Sequence, residues 1–466
     1  MAKFILRGWA ACLALLLAAG AQMASVRGQT GAGTFFPTGS MNYGRISHTA
    51  TLLTNGQVLV VGGVGNVGST GIIDSVLASA EIYNPVTGAW MLVAPMFFPR
   101  VDHTATLLTN GEVLLAGGAG NYSTQLNLSN CEIYDPATGT WAFTSPMLAG
   151  RAGHTATMLT NGTVLVAGGD GTNYLSQFNT LSTAEIYDPA IRLWTQTGPM
   201  TTNRVYHTAA LLPGGQVLVA GGFGLNGLPL YSSELYDPTT GTWTLTGNMI
   251  SPRIGQTETV LPDGRVLVAG GSACCGPIQM ADIYTPGSGT WSPAPAMLAD
   301  RDLHTATLLP DGQVLVVGGQ DDFGDGYFSA EIYDPVAASW SYARSLTTGR
   351  FSHTATMLQG GHLLIAGGAS SSPGPFGGDF QRIAAAELYN PSAGSLYGLT
   401  ITLNSSVPLL QLEGWPGTNY ILQYNSSLLD SNWSALSQFT LTTNPCDFLD
   451  VSASNAPIRF YRAITQ

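Results

Sequence analysis

One pattern recurs along this chain and constrains the fold more than any other feature. Each copy has an arginine followed three residues later by a histidine or, in one copy, a glutamine, then a Gly-Gly pair, then an acidic-apolar-tyrosine triplet. Seven copies start between 48 (Arg253 to Arg301) and 55 (Arg45 to Arg100) residues apart. A repeat of this length is a supersecondary unit that buries its apolar face against its neighbours. Six copies carry the pairs Arg45/His48, Arg100/His103, Arg151/His154, Arg204/His207, Arg301/His304 and Arg350/His353, and the seventh has Arg253/Gln256.

The residue types within each copy predict four strands. Segments such as HTATLL and QVLVVGG are rich in β-branched and apolar residues, and Asn-Gly, Asp-Gly or Gly-Gly turns join them as in a hairpin. Segments such as EIYDP and GTW flank a second tight turn that contains Pro and Gly. Each copy is therefore predicted to be a four-stranded antiparallel sheet, with strands a to d in chain order. Radial repetition of such sheets forms an all-β propeller.

The last copy lacks the tryptophan that closes the other six, because Leu396 follows ELYNPSAGS. The missing strand is present near the start of the chain, where GTFFPTGSM (33–41) matches GTWTLTGNM (241–249) with Phe35 in the tryptophan position. Pairing of this segment with the last copy would close the ring and remove its open edge. The sequence therefore predicts seven blades, with residues 33–395 as the propeller.

The two ends of the chain differ from the repeat. Residues 1–28 place Lys3 and Arg7 before a short apolar run and small residues, which is typical of a secretory signal peptide; an uncleaved anchor is the alternative. Residues 396–466 contain short alternating strands typical of a small C-terminal β-sandwich-like domain. We therefore expect a secreted or cell-surface protein with no membrane span after signal removal.

The charge balance argues against some partners. Lys plus Arg total 16 against 28 Asp plus Glu, and the formal net charge is -12. Because no basic patch is available to neutralise phosphates, nucleic acid is not an expected partner.

The cysteines do not suggest a disulfide framework. Cys131 occupies a position that holds alanine in other copies, which predicts a small core residue. Cys274 and Cys275 are adjacent in a loop, and both a vicinal disulfide and a free pair are compatible with the sequence.

The apolar strand, Gly-Gly, Tyr and Trp at this spacing resemble kelch repeats. Segments such as DGRVLVAGG and EIYDPATGTW are similar to the central propeller of galactose oxidase and related copper-radical oxidases. That resemblance implies copper held by two tyrosines and two histidines, and Tyr206-His207 matches the segment that supplies one of each. The family's other histidine follows the propeller, whereas His362 is the last histidine here. The resemblance therefore implies an incomplete copper site, and no metal or other cofactor is expected.

The repetition of the histidines favours a structural role for them, because a residue used in six copies does not mark one unique site. We predict that the arginine, histidine and acidic residue of each blade form a buried hydrogen-bonded set. The variant copy changes both the histidine, to Gln256, and the acidic residue, to Asp282, which suggests that these two positions contact each other.

Candidate ligand-binding residues lie in the loops between strands b and c, which vary in length and composition. Variable loops on a rigid scaffold are the usual place for binding. A group of carboxylates there could hold calcium, and a solvated acidic loop is the plainer alternative. The candidates are Asn173, Tyr174, Asp321, Asp322, Asp325 and Tyr327.

No catalytic residue can be assigned from these patterns. We expect a monomeric, exported binding protein rather than an enzyme, with a carbohydrate or protein ligand on the face formed by the b-c and d-a loops. The alternative is an extracellular copper-radical oxidase of the galactose oxidase type.

Overall fold

The structure is a computed structural model that describes residues 33–66, 74–120, 127–171, 179–371 and 380–391, and six strands between residues 398 and 465. The predicted signal peptide lies outside the described residues. Every regular element of the described chain is a strand. None of the described residues forms a helix that is long and apolar enough to cross a membrane.

Seven four-stranded antiparallel sheets form the blades, and the first six follow one another in chain order. Blade 1 comprises Thr49–Leu52, Val58–Val61, Ala80–Asn84 and Ala89–Val93. Blade 2 comprises Thr104–Leu107, Val113–Ala116, Cys131–Asp135 and Thr140–Thr144. Blade 3 comprises Thr155–Met158, Val164–Ala167, Ala184–Asp188 and Leu193–Thr197. Blade 4 comprises Thr208–Leu211, Val217–Ala220, Ser233–Asp237 and Thr242–Leu245.

The remaining blades have the same antiparallel order. Blade 5 comprises Thr257–Val260, Val266–Ala269, Ala281–Thr285 and Thr290–Ala294. Blade 6 comprises Thr305–Leu308, Val314–Val317, Ala330–Asp334 and Ser339–Tyr342. Blade 7 comprises Thr354–Met357, Leu363–Ala366 and Ala386–Asn390, with Thr34–Pro37 as its outer strand.

The ring closes as predicted, with a strand from near the start of the chain. Thr34–Pro37 pairs antiparallel with the third strand of blade 7 and sets Phe35 opposite Tyr389. The two rings lie 4.8 Å apart, which matches the 4.9 Å between Tyr134 and Trp141 in blade 2. Each innermost strand contacts the next around the ring, including those of blades 1 and 7. The seven-bladed, all-β prediction is confirmed.

The core lies between the blades. Strand b is buried along its whole length in every blade. The apolar clusters draw residues from two adjacent blades, as where Leu59 and Val61 of blade 1 pack with Val113 and Leu115 of blade 2. Both faces of the inner strands are thus covered by neighbouring sheets, which explains why these strands are apolar on both sides.

Short strands extend the b-c loops of three blades on the loop face, and in blade 1 the segment before strand a adds one more. Blade 1 has a three-stranded extension, and blades 5 and 7 have small hairpins. These strands are Arg45–Ile46, Val64–Asn66 and Asp74–Val76; Ser272–Ala273 and Gly276–Pro277; and Ala369–Ser371 and Phe380–Arg382.

The strands after residue 391 belong to a compact unit distinct from residues 32–391. This unit contains two three-stranded antiparallel sheets, the content expected of a small β-sandwich-like domain. One sheet comprises Gly398–Asn404, Val407–Glu413 and Cys446–Leu449, and the other comprises Asn419–Asn425, Ser434–Thr440 and Phe460–Thr465.

Candidate functional site on the loop face

The repeated arginines form buried ion pairs. In blade 3, Arg151 Nη2 donates to Glu185 Oε1 at 2.6 Å, and Nη1 donates to the carbonyl of Gly168 in the Gly-Gly pair. The Glu185 carboxylate also accepts the backbone N–H groups of Leu148 and Ala149. The set therefore holds the d-a loop against strand c. The same pair occurs in every blade: Arg45–Glu81, Arg100–Glu132, Arg151–Glu185, Arg204–Glu234, Arg253–Asp282, Arg301–Glu331 and Arg350–Glu387.

The histidines have a different partner from the one expected. His103 Nε2 lies 3.1 Å from the hydroxyl of Thr49 in the preceding blade, and not in the arginine-acid pair of its own blade. Six junctions between blades carry this contact, including the one that joins blade 1 to blade 7. The pairs are His48–Thr354, His103–Thr49, His154–Thr104, His207–Thr155, His304–Thr257 and His353–Thr305.

The expected contact between histidine and acidic residue was wrong because the two side chains serve different interfaces. The acidic residue stabilises its own blade, whereas the histidine faces the blade before it. Burial lowers the pKa of His48, His154 and His304 to about 3, and the adjacent arginine adds to this effect. These histidines are therefore neutral at ordinary pH and act as hydrogen-bonding spacers between blades.

One junction departs from this arrangement, between blades 4 and 5. Gln256 replaces the histidine, and its Nε2 donates to the Ala220 carbonyl at 3.0 Å. Glu258 stands where the other innermost strands have alanine. In blade 4, Ala210 stands where the innermost strands of the other blades have threonine. Both carboxylate oxygens of Glu258 are buried, and neither makes a well-formed hydrogen bond, although the nearby Thr208 side chain of blade 4 partly offsets the cost of burial. Burial raises the pKa of this carboxyl to about 8.

Tyr206 occupies a position with an unusual backbone. The residue before the histidine or Gln256 has a positive φ of 50° to 62° in all seven blades. Glycine suits such a position, and Gly153 and Gly255 occupy it in two blades. The Tyr206 N–H donates to the Gly153 carbonyl, and its hydroxyl donates to Asp102 Oδ2 at 3.1 Å. Tyr206 therefore joins the corresponding positions of blades 2, 3 and 4.

The residues that resemble copper ligands do not converge. Tyr206 is 48% exposed and bonds Asp102, whereas His207 is buried and bonds Thr155 of the preceding blade. The remaining histidine, His362, lies at the a-b turn of blade 7, where its ring meets Phe36 edge-on. Across the described ranges, no three His, Cys, Asp or Glu side chains are grouped to hold a metal ion.

The acidic candidates lie in one loop of blade 6. Asp321 Oδ1 accepts the backbone N–H groups of Phe323 and Asp325, both at 2.9 Å, so this carboxylate shapes the turn. The Tyr327 hydroxyl donates to Asp300 at 3.1 Å, and the Arg301 guanidinium lies 5.0 Å from the centre of its ring. Tyr327 thus anchors the loop to the scaffold.

The other two candidates, Asn173 and Tyr174, lie outside the described residues. A shallow depression of about 430 Å³ occurs on blades 5 and 6, lined by residues that include Gln279, Met280, Leu298 and Asp300, the partner of Tyr327.

The b-c loops of blades 5, 6 and 7 form one continuous surface, which we call the blade 5–7 surface. Asp322 of blade 6 lies directly against the backbone of Gly276 of blade 5. The Phe380 ring of blade 7 lies beside Gly324 of blade 6. Phe323 is 90% exposed at its centre. Sequence patterns identified the loops of this surface and its acidic residues but not the contact of the Phe380 ring with Gly324 of the next blade, because nothing in the repeat predicts how two b-c loops meet.

Comparison with known proteins agrees with the repeat. Residues 45–97 match the Kelch motif, and residues 153–368 match the family described as the KLHDC2/KLHL20/DRC7 Kelch-repeats domain. The propeller is built of kelch repeats. Putative F-box/kelch-repeat protein At1g27420 of Arabidopsis thaliana is 29% identical over 33% of this chain and 42% of its own length. Kelch-like protein 36 of Rattus norvegicus is 26% identical over 40% of this chain and 28% of its own length.

Solved structures show the same fold. A fungal alcohol oxidase of the AA5 family in complex with copper covers 92% of each chain with a TM-score of 0.62 and 18% identity. The structure of YjhT covers 66% of this kelch protein and 99% of its own chain, with a TM-score of 0.51 and 17% identity. At these identities the likeness concerns the fold alone.

Proposed function

We propose that this kelch protein is exported and non-catalytic, and that it binds a protein or carbohydrate ligand through the face formed by the b-c and d-a loops. The blade 5–7 surface is the observation that carries this proposal. Hydrogen bonds of Ser272, Asp321 and Tyr327 hold its loops in place, while Phe323 (90%), Phe328 (55%) and Phe380 (50%) remain exposed. Large apolar groups held on a rigid scaffold are typical of binding sites.

The side chains of this surface indicate which classes of ligand would fit it. The exposed carboxylates of Asp322 and Asp325 lie in the same loop as Phe323, and the protein as a whole is acidic. A protein segment with basic and apolar side chains would complement both features. A carbohydrate would stack on the phenylalanine rings and donate its hydroxyls to the carboxylates, and it is the second ligand class.

Substitution of Phe323 tests the proposal. Purified protein would be screened against a glycan array and a displayed peptide library, and the affinity of the best binder would be measured by calorimetry. We expect Phe323→Ala to weaken binding at least about tenfold, as for a central aromatic contact. Phe143→Ala is the matched control, because Phe143 is 54% exposed on an outer strand of blade 2. Equal loss in both variants, or no loss in Phe323→Ala, would contradict the proposal.

Copper chemistry is tested separately. The protein would be loaded with copper, and peroxide release would be measured with galactose, glyoxal and simple alcohols. Tightly bound copper together with peroxide release would replace the binding proposal with the oxidase alternative. Tyr206→Phe would then abolish both if Tyr206 were a ligand.

Export and the C-terminal unit are part of the same proposal. Residues 1–28 support export by their sequence, and residues 396–466 are proposed to affect where the protein is retained. Fractionation of cells that produce the full chain or a chain without residues 397–466 tests both points. Recovery of the full chain from the cytoplasm would contradict export, and an unchanged location after deletion would contradict the role of the C-terminal unit.

A further inference from the structure

Two adjacent thiols occupy the tip of the blade 5 hairpin. Ser272–Ala273 and Gly276–Pro277 pair antiparallel, which leaves Cys274 and Cys275 as the two-residue turn. Both residues are exposed, and their sulfur atoms lie 3.3 Å apart. The repeat does not require a cysteine at either position, because no other b-c loop has a cysteine pair.

The base of the hairpin is fixed while its tip is accessible. Ser272 exchanges backbone hydrogen bonds with Ile254, and its hydroxyl donates to Asp302 Oδ2 at 2.6 Å. The pair is therefore presented to solvent from a rigid support. Cys131 differs from it, because Cys131 is buried and burial raises its pKa to about 11.

We propose that Cys274 and Cys275 form a redox site, which a low-molecular-weight disulfide oxidises reversibly to a vicinal disulfide. The Cys274 thiolate attacks the small disulfide, forms a mixed disulfide and releases one thiolate. The Cys275 sulfur then loses its proton and attacks Cys274 Sγ, which expels the second thiolate. One protein disulfide forms, one external disulfide is reduced to two thiols, and the two electrons and two protons balance.

The geometry favours both closure and reversibility. The two sulfur atoms need to approach by only about 1.3 Å to reach the length of a disulfide bond. The α-carbons of adjacent residues are about 3.8 Å apart, shorter than the usual separation in a disulfide, so the closed ring is strained. Strained and exposed disulfides are the more easily reduced ones. The neighbouring Cys274 sulfur raises the pKa of Cys275, so that Cys275 keeps its proton until the mixed disulfide has formed.

Formation of the disulfide would affect the conformation of the blade 5–7 surface through Gly276. The Asp322 carboxylate lies against the Gly276 backbone, so the hairpin tip and the blade 6 loop share a contact. Closure of the ring at Cys274 and Cys275 shifts the residue that follows them and therefore the loop that carries Phe323. This consequence for ligand binding rests on the proposed function, whereas the redox step does not.

The redox step is tested on the full chain with glutathione buffers. After equilibration, free thiols are alkylated, and trypsin then releases residues 266–301, which contain only these two cysteines. We expect oxidised glutathione to convert this peptide to an unalkylated form about 2 Da lighter than the free dithiol peptide, without a glutathione adduct, and reduced glutathione to restore the doubly alkylated form. A peptide that remains fully alkylated, or that keeps a glutathione adduct, would overturn the proposal.

The matched variants separate the steps. Cys275→Ser retains the first thiol and should accumulate the glutathione adduct, because no second thiol resolves it. Hydrogen exchange of residues 321–327 measures the coupling without a ligand. Oxidation should change this exchange in the wild type and leave it unchanged in Cys274→Ser/Cys275→Ser. If the wild-type protein forms the Cys274–Cys275 disulfide but binds no ligand, the proposed function is contradicted and the redox site stands. If it binds a ligand but does not form the disulfide, the redox site is contradicted and the proposed function stands.

Discussion

Six of the seven junctions between blades are alike, and the junction of blades 4 and 5 is not. The six use a neutral buried histidine that contacts a threonine of the preceding blade, as His154 does with Thr104. The exceptional junction has Gln256 bonded to a backbone carbonyl, and a buried carboxyl on Glu258 that only the Thr208 side chain offsets in part. The comparison shows that a ring built from one repeat need not use the same contact at every junction.

The two kinds of junction also respond to pH in opposite directions. A histidine whose folded pKa is lowered destabilises the fold as the pH falls below about 6.5, because the unfolded chain binds the proton more readily. A carboxyl whose folded pKa is raised does the opposite. Glu258 contributes most below about pH 4.3, and this contribution is lost as the pH rises towards about 8.

The largest expected change in the free energy of unfolding comes from the buried arginine-acid pairs. As with the junctions, the pair of blade 5 differs from the regular pairs. Both oxygens of Glu185 are hydrogen-bonded, whereas Asp282 Oδ1 of blade 5 is buried without a partner. Glu185→Gln leaves Arg151 buried without its counter-charge, and we expect it to lower the free energy of unfolding by about 3–5 kcal/mol. Asp282→Asn should cost about 1–2 kcal/mol less, since it breaks fewer bonds. Urea titration at pH 7 measures both, and equal costs would contradict the comparison.

The next effect is a stabilisation. Glu258→Ala gives blade 5 the residue that the other innermost strands have, and it removes a carboxyl whose charged form is destabilised by burial. We expect the free energy of unfolding at pH 8 to rise by about 1–3 kcal/mol. The gain should shrink as the pH is lowered from 8 to 5, because the wild-type carboxyl then regains its contribution. Glu112→Ala, at a surface ion pair with Arg192, is the control. A loss of stability would show that the contacts of Glu258 outweigh its burial, and a gain independent of pH would show that its pKa is not raised in the folded protein.

The sequence predicts the scaffold well because the scaffold is repeated. Phe35 could be assigned to the last blade since its surroundings match those of six tryptophans. The arginine-acid pairs follow from the same repetition. The partner of the histidine could not be predicted in this way, because every copy offers both an acidic residue and a threonine. The partner depends on which neighbouring blade the histidine side chain faces, and the sequence does not give this direction.

The few residues that depart from the repeat indicate which junction between blades is exceptional. Gln256, Glu258 and Ala210 are changes in two adjacent copies, and each of them contacts the other blade at the junction of blades 4 and 5. Comparing each copy with its neighbour, rather than only with the consensus, would have indicated this. The blade 5–7 surface is different, since its loops share no pattern and their contacts depend on the curvature of the ring.

The smallest effect tests whether the two kinds of junction can be exchanged. His154→Gln places the residue of the exceptional junction in a regular one, and we expect a cost of about 1 kcal/mol at pH 7 because a polar partner for Thr104 is retained. The pKa of His154 is about 3 in the folded protein and about 6.5 when unfolded, so the wild type loses stability as the pH falls between these values. The variant lacks this loss. The difference in the free energy of unfolding between wild type and variant should therefore shrink by up to about 1.4 kcal/mol for each unit by which the pH is lowered.

The reverse exchange sharpens the same comparison. The triple variant Ala210→Thr/Gln256→His/Glu258→Ala rebuilds a regular junction between blades 4 and 5, with a histidine opposite Thr208. Between pH 5 and 8, the triple variant should lose stability on acidification more steeply than the wild type, because it gains a titrating histidine and loses the carboxyl that opposes this slope. Unfolding measured by urea at several pH values decides the matter. If the slope of the triple variant equals that of the wild type, the residues at this junction do not set its response to pH, and the contrast between the junctions fails.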